Sequence, residues 1–355
     1  MANSYPIEAI LDNEYAFAHK ALLAEVVKFK KLLSQKKYAL LITHPNPDPD
    51  ALGSLVSCSL LLNQLGIKTL PLAFNNILIK KKIQSLNELK LYTRIRIKKF
   101  INNPQDKVIL TLDLADLKRI PDYDTIVKSG IPIINIDHHE KLKQPGYKIS
   151  VNIANTKFES TTEVLFWLSR KLNLKLNQDF ATNILMGIFA DTEFYQDVNL
   201  PKRVFLLIYY LQSIGADNNL LVYEFLRSKP IEELVAINFC MQYLTVRKNY
   251  AYIALPYNKY FTAQKKLGKP FDKGMLTEIL RNIEKIDFCF VLIESEPNFV
   301  SCSLKARTDR VDLNKIAQEF GGGGHKTASA FRTHGNFSVI TKKLIAQIDK
   351  HRSHN

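Results

Sequence analysis

The four cysteines of the 355-residue chain, Cys58, Cys240, Cys289 and Cys302, share no spacing that suits a thiolate zinc site or a redox pair. They read as small buried apolar residues. No stretch approaches the ~18 uninterrupted apolar residues that span a bilayer. The opening, Met1 to Glu8, lacks the basic-then-apolar order of a secretory leader, so the protein is expected in the cytoplasm, without a membrane partner. No fixed-period repeat and no low-complexity tract is present, which excludes solenoid and fibrous architectures. No serine or cysteine stands in a triad motif, so covalent nucleophilic catalysis has no candidate residue.

What is present is an ordinary globular composition, 46% hydrophobic and 23% charged, over a length that suits two domains. The formal net charge is +15, from 49 Lys and Arg against 34 Asp and Glu. A field of that sign attracts phosphate-bearing ligands. Lys, Asn and Ile are all abundant, so a biased genome composition raises the lysine count equally well.

Apolar positions at helical spacing (Ile10, Phe17, Leu22, Val26, Phe29, Leu33) predict an amphipathic leading helix over Ile7 to Ser34. Short apolar runs at Tyr38 to Thr43, Val108 to Leu112 and Ile131 to Ile136 read as buried parallel strands. Helical stretches lie between and after them: Ala51 to Leu65, closed by Gly66, then Thr161 to Leu172 and Phe180 to Ala190. This alternation predicts an α/β unit with a parallel sheet. The apolar stretch Val204 to Leu211 leads toward a second unit. From about Tyr250 strand-like segments interleave with helices, predicting a smaller α+β domain.

Chemistry-bearing residues gather at the ends of these elements. THPNPDPDALGS, from Thr43 to Ser54, offers His44, Asp48 and Asp50 just past a strand, where ligands bind in open parallel sheets. In extended backbone Asp48 and Asp50 project to one side, and Pro45, Pro47 and Pro49 favour that backbone. Alternatively Asp50 caps the helix that begins near Ala51. Asp113 follows the second run, Asp137-His138-His139 the third, and Asp191 ends an apolar helix. This oxygen-rich set with some imidazole suits Mn²⁺ or a similar ion.

In chain order, His44-x-x-x-Asp48-x-Asp50, Asp113, Asp137-His138-His139 and Asp191 resemble the motifs of the DHH phosphoesterases. Phe320 to Ala330, FGGGGHKTASA, resembles the glycine-rich motif of the DHH-associated domain that follows their catalytic domain. The resemblance spans about residues 38 to 335. It implies a layout of an N-terminal helical extension (1–35), a catalytic domain (36–198), a helical linker (199–228) and a substrate-binding domain (229–355). It also implies two divalent cations, one on His44, Asp48 and Asp113, the other on Asp50, Asp113, His138 and Asp191. Asp137 then orients the histidine beside it. Ser160 to Glu163, STTE, resembles a family segment lining the active site, although a capping box explains the same residues and is favoured.

Such a cation pair makes a water acidic enough to attack phosphorus at neutral pH. His139 is placed to bind a phosphate oxygen or to protonate the leaving group. Gly322, Gly323 and Gly324 with His325 and Lys326 form a candidate anion-binding segment. Either Lys305 or Arg307 holds the substrate phosphate, and lysine gives up the bidentate fork. The layout is similar to the nanoRNase and 3′-phosphoadenosine-5′-phosphate phosphatase group, which implies short oligoribonucleotides or small nucleotides as substrates, held in a cleft between the domains. Hydrolysis of cyclic-di-AMP or linear pApA is the close alternative, and a nucleotide-binding module without turnover is the rival of another class. Long double-stranded nucleic acid is not an expected partner, and a homodimer is left open.

Overall fold

The computed structural model of the chain describes residues 7–74, 83–139, 146–196, 200–268, 271, 273–307, 310–324 and 326–352. Two compact units result, Met1–Arg227 and Ser228–Asn355.

The first unit opens with α1 (Ile7–Glu14) and α2 (Ala16–Leu33). The single leading helix expected from the periodicity is therefore broken at Tyr15, whose buried ring is anchored by a hydroxyl donating to Glu163 at 3.0 Å. The break resets the helical phase, so Leu11 points inward and Ile10, expected on the apolar face, is exposed. Leu22, Val26, Phe29 and Leu33 keep their expected burial. They share one core with Phe166, Trp167 and Ile184, so α1 and α2 are packed into the unit rather than appended to it.

The sheet comprises β1 (Tyr38–Ile42), β2 (Lys68–Ala73), β3 (Lys90–Leu91), β4 (Lys107–Leu112), β5 (Ile133–Asp137) and β6 (Val151–Ala154). All neighbours run parallel, in the order β3-β2-β1-β4-β5-β6. Helices α3 (Pro49–Gln64), α4 (Arg94–Ile101) and α5 (Tyr123–Lys128) lie between strands in sequence. Then follow α6 (Thr161–Lys171), α7 (Gln178–Asp191), α8 (Lys202–Ser213) and α9 (Asn218–Val222). Alternate residues of β4 enter opposite cores, Val108, Leu110 and Leu112 on one face and Ile109 on the other, which is why the strand reads as an unbroken apolar run. At the edge strand, the amide of Asn152 is capped by Glu25 Oε2 at 2.9 Å. Val204, Leu207, Leu211 and Leu221 enter the main core, so described residues of the expected 199–228 linker are part of the first unit.

The strand order makes the β1/β4 pair a switch point, because the chain leaves these neighbours toward opposite ends of the sheet. Ile42 pairs with Thr111 and Leu112 with Ile136, so β1, β4 and β5 end level with one another. The residues that follow those ends share one crevice.

The second unit holds α10 (Ile231–Met241), β7 (Leu244–Val246), β8 (Tyr250–Leu255), α11 (Tyr257–Leu267), α12 (Gly274–Arg281), β9 (Phe288–Glu296), β10 (Phe299–Ala306), α13 (Leu313–Gln318), β11 (Gly323–Gly324), β12 (Ala328–His334) and α14 (Phe337–Arg352). Its mixed sheet has the order β11-β12-β10-β9-β8-β7, with β8 and β9 parallel. Phe288, Phe290 and Leu292 enter the core shared with α13 and α14, while Cys289, Val291 and Ile293 enter the one shared with α10, α11 and α12. All four cysteines are buried and unpaired. Among the described residues no helix is long and apolar enough to cross a membrane.

Candidate active site

His44, Asp48, Asp50, Asp113, His138, His139 and Asp191 are brought together beyond the C-terminal ends of β1, β4 and β5 and at the end of α7. Three sets have ligand atoms within 4.8 Å of one another: His44, Asp48 and Asp113; Asp50, His138 and Asp191; Asp113, His138 and His139. Asp113 links them. Its Oδ2 lies 3.4 Å from His44 Nε2, and its Oδ1 lies 3.7 Å from His138 Nε2 and 3.4 Å from His139 Nδ1. Asp191 Oδ2 is 3.5 Å from His138 Nε2. Asp113 adopts φ +50°, a left-handed conformation that aspartate tolerates and that turns its carboxylate out of the strand's alternation.

Helix α3 begins two residues earlier than the sequence suggests, at Pro49 rather than Ala51. Pro49 occupies its first turn and Asp48 caps it, accepting from the Ala51 amide at 3.0 Å. The capping alternative therefore falls on Asp48, not Asp50. The same-side argument from extended backbone fails too, because Asp50 is already helical. Asp50 is instead fully buried against the start of α6, its two oxygens accepting from the amides of Thr161 at 2.8 Å and Thr162 at 3.0 Å. The Thr161 hydroxyl donates to Asp113 Oδ1 at 3.2 Å. Ser160 caps α6 by accepting from the Glu163 amide. The STTE segment thus does both things considered for it: it caps a helix, and its N-terminal amides, which have no partner within the helix, hold Asp50 in the site.

Asp137 holds His139 rather than His138. Its Oδ1 is 2.8 Å from His139 Nδ1 and accepts from the His139 amide at 3.0 Å. The strand ends at Asp137 and the chain bends there, so the carboxylate reaches the amide two residues on, as aspartates do in turns. A polar ladder runs below: Thr111 donates to Asn135 Oδ1 at 2.8 Å, and Asn135 to Asn152 Oδ1 at 2.9 Å. It ties the strand that leads into Asp113 to the strand that ends in Asp137.

The electrostatics are those of a crowded anionic pit. Burial, then the charges of Asp113 and Asp48, push the Asp50 carboxyl well above its usual range. Burial with Asp50, Asp48 and Asp113 does the same to Asp191, and burial with Asp113 raises Asp48. Asp113 alone is lowered: burial opposes its ionisation, but the His44 hydrogen bond and the nearby imidazoles outweigh it. His138 is lowered by burial and by His139. His139 is raised to about 9, foremost by its bond to Asp137. Carboxyls forced toward neutrality by one another are relieved by a divalent cation, and hard oxygen donors with imidazoles suit one. These groups could hold a metal.

Gly187 is a site residue that the sequence reading missed. A Cβ on this glycine of α7 would fall inside contact distance of Asp50 Oδ1 and Thr162 Oγ1. The signal was a glycine inside an apolar helical run four residues before Asp191, where it costs ~1 kcal/mol against alanine unless something demands it. Gly187→Ala is expected to lose ~1–3 kcal/mol of stability and to displace Asp50. Urea unfolding and metal titration check this; a variant with unchanged stability and metal affinity would show that the contact is slack.

The substrate-binding candidates lie in the second unit. Pairing of Lys305 with Ala328, and of Gly324 with Ser329, brings Lys305, Arg307, Gly322, Gly323, Gly324 and Lys326 to one end of its sheet. Lys305 Nζ lies 3.5 Å from Glu278 Oε1, and Arg307 Nη1 donates to the Ile283 carbonyl at 3.3 Å. The Lys326 carbonyl accepts from the Leu313 amide at 2.9 Å. Gly322 and Gly324 are packed against β12, where side chains would collide with Ala330 and Phe331, or with Ala328 and Ser329. A side chain at Gly323 would meet Asn314 in ordinary contact at 3.7 Å. His325 lies outside the described residues.

Comparison with known proteins agrees with this layout. The DHH family N-terminal domain matches residues 39–188, and the DHHA1 domain matches residues 251–350. A probable bifunctional oligoribonuclease and PAP phosphatase NrnA of Streptococcus mutans is 24% identical, over 85% of this chain and 92% of that protein. A probable manganese-dependent inorganic pyrophosphatase of Lactobacillus gasseri is 26% identical, over 43% of this chain and 47% of that protein. The crystal structure of an exopolyphosphatase-related protein from Bacteroides fragilis superposes with a TM-score of 0.79 at 22% identity, covering 92% of this chain and 96% of that one, a likeness of fold. With a DHH domain on the unit that carries the carboxylates and a DHHA1 domain after it, the chain belongs to the DHH phosphoesterase family.

Proposed function

We propose that the protein is a Mn²⁺-dependent phosphodiesterase acting on short oligoribonucleotides, with phosphatase action on 3′-phosphoadenosine 5′-phosphate. The observation that carries this reading is the convergence of four carboxylates and three imidazoles at one switch point. In this reading His44, Asp48 and Asp113 hold one cation, and Asp50, Asp113, His138 and Asp191 a second. When bound, the pair supplies an acidified water and a sink for charge developing at phosphorus. The chain's own groups do the rest. The α6 amides fix Asp50 in place, and Asp137 holds His139 by a 2.8 Å contact to Nδ1. A cationic imidazole can hold a phosphate oxygen or give its proton to the leaving oxygen. The names borne by the Streptococcus relative support the substrate class.

A linear dinucleotide has a free end that Lys305, Arg307 or His325 can take, whereas a cyclic dinucleotide must fit both phosphates at once in a fixed ring. The expected result is a kcat/KM for pApA at least ~10-fold above that for cyclic-di-AMP, about 1.4 kcal/mol of transition-state binding. Both are measured at equal Mn²⁺ and ionic strength, with 3′-phosphoadenosine 5′-phosphate and a 24-mer RNA as comparators. Equal or faster cleavage of the cyclic substrate overturns the preference, and efficient cleavage of the 24-mer overturns the short-substrate reading.

A further inference from the structure

A cavity of about 720 Å³ lies at the opposite, N-terminal edge of the parallel sheet. Tyr38 and Lys107, which line it, begin the two strands whose far ends lead to His44 and Asp113. It is therefore separate from the carboxylate site. Its volume falls within the ~300–1,000 Å³ usual for small-molecule sites.

The lining has two kinds of group. Tyr38, Phe100 and Leu70 supply ring and aliphatic surface, and the Tyr38 side chain is exposed although it starts a core strand. Arg96, Lys99 and Lys107 supply positive charge. Lys107 is tied down, its ammonium donating to the carbonyls of Phe100 and Asn102 and lying 5.2 Å from the Phe100 ring centroid. Arg96 donates from Nη1 to the Leu91 carbonyl at 2.7 Å. Lys99 is exposed and makes no hydrogen bond or ion pair among the described residues. The one carboxylate of the lining, Asp106, already faces Lys37 Nζ at 3.4 Å, so it does not cancel the other cations. Gln105 and Asn103 add amides that both donate and accept.

We propose that this cavity is a second, non-catalytic site for a nucleoside monophosphate. The base lies against Tyr38 and Phe100, as bases stack on aromatic rings in sequence-tolerant sites, and the amides of Gln105 and Asn103 are suited to its polar edge. The phosphate is taken by Lys99 and Arg96, a point charge and a planar fork. An inorganic anion alone leaves the rings unused, and a nucleoside alone leaves the cations unused.

Equilibrium dialysis of the full chain in chelator, with labelled AMP as probe, tests this independently of hydrolysis. Lys99→Glu and Tyr38→Ser, both surface changes, are each expected to raise the AMP Kd at least ~10-fold. Adenosine and inorganic phosphate are each expected to bind at least ~10-fold more weakly than AMP. Both variants are expected to keep wild-type Mn²⁺-dependent turnover. Unchanged AMP binding in both variants, phosphate or adenosine binding as tightly as AMP, or loss of turnover in the variants would each overturn the proposal. Failure of the phosphodiesterase reading would leave these binding results untouched, so the two are separable.

Discussion

Asp113→Asn is expected to lower kcat by at least ~10³, the scale on which removing a preorganised charge from a reacting centre acts. The substitution keeps the shape of the side chain and the hydrogen bond from the Thr161 hydroxyl. Asparagine also tolerates the left-handed backbone at this position, so the fold has little reason to respond. What is lost is a carboxylate whose ionisation the surrounding imidazoles favour strongly enough to outweigh its burial. It faces His44 on one oxygen and His138 and His139 on the other, so its neutralisation weakens both proposed cation sites together. Steady-state kinetics at saturating Mn²⁺, with the metal content of the purified variant, check this. Wild-type kcat with full metal content would remove Asp113 from its proposed bridging place.

Glu163→Ala is expected to cost ~3–5 kcal/mol of stability, the usual penalty for stranding a buried charge. Glu163 is fully buried and accepts from Tyr15 Oη at 3.0 Å, Arg203 Nε at 2.9 Å and the Glu159 amide at 2.6 Å. Arg203 is itself buried and also reaches the Lys157 carbonyl and Glu159. Removing the carboxylate leaves a guanidinium and a phenol hydroxyl without it, just behind the amides that hold Asp50. A Glu163→Leu/Arg203→Met pair is expected to recover much of the loss, because two apolar groups replace two charges and leave neither stranded. Urea unfolding of both single variants and the pair checks this, and a Glu163→Ala loss below ~1 kcal/mol would show that the network contributes little.

How much of this was legible in the sequence depends on the range of the interaction. A strand buried on both faces must be apolar along its whole length, so the abrupt polar residue after Ile42, Leu112 and Ile136 marks where the sheet ends and its ligand edge begins. Gly66 closes α3 for an equally local reason, its φ of +77°. Strand order was not legible, since a run such as Val108 to Leu112 carries no record of which strands flank it. The Thr161 and Thr162 amides that bind Asp50 were invisible for another reason: every residue but proline has such an amide, and these lie 111 and 112 positions away. The pairing of Asp137 with His139 was assigned to the adjacent residue, because the bend after β5 that carries it leaves no mark in the strand pattern. The glycine run was read as an anion-binding segment, whereas what the sequence did not show is that Gly322 and Gly324 are packed against β12.

The most direct test is to strip the wild-type protein of metal with chelator, titrate Mn²⁺ back, and follow pApA hydrolysis with bound metal per chain. The expected result is no turnover in the stripped protein and full recovery as two ions bind per chain. Full activity in the stripped protein, or recovery complete with a single ion bound, would contradict the two-cation phosphodiesterase proposed for this site.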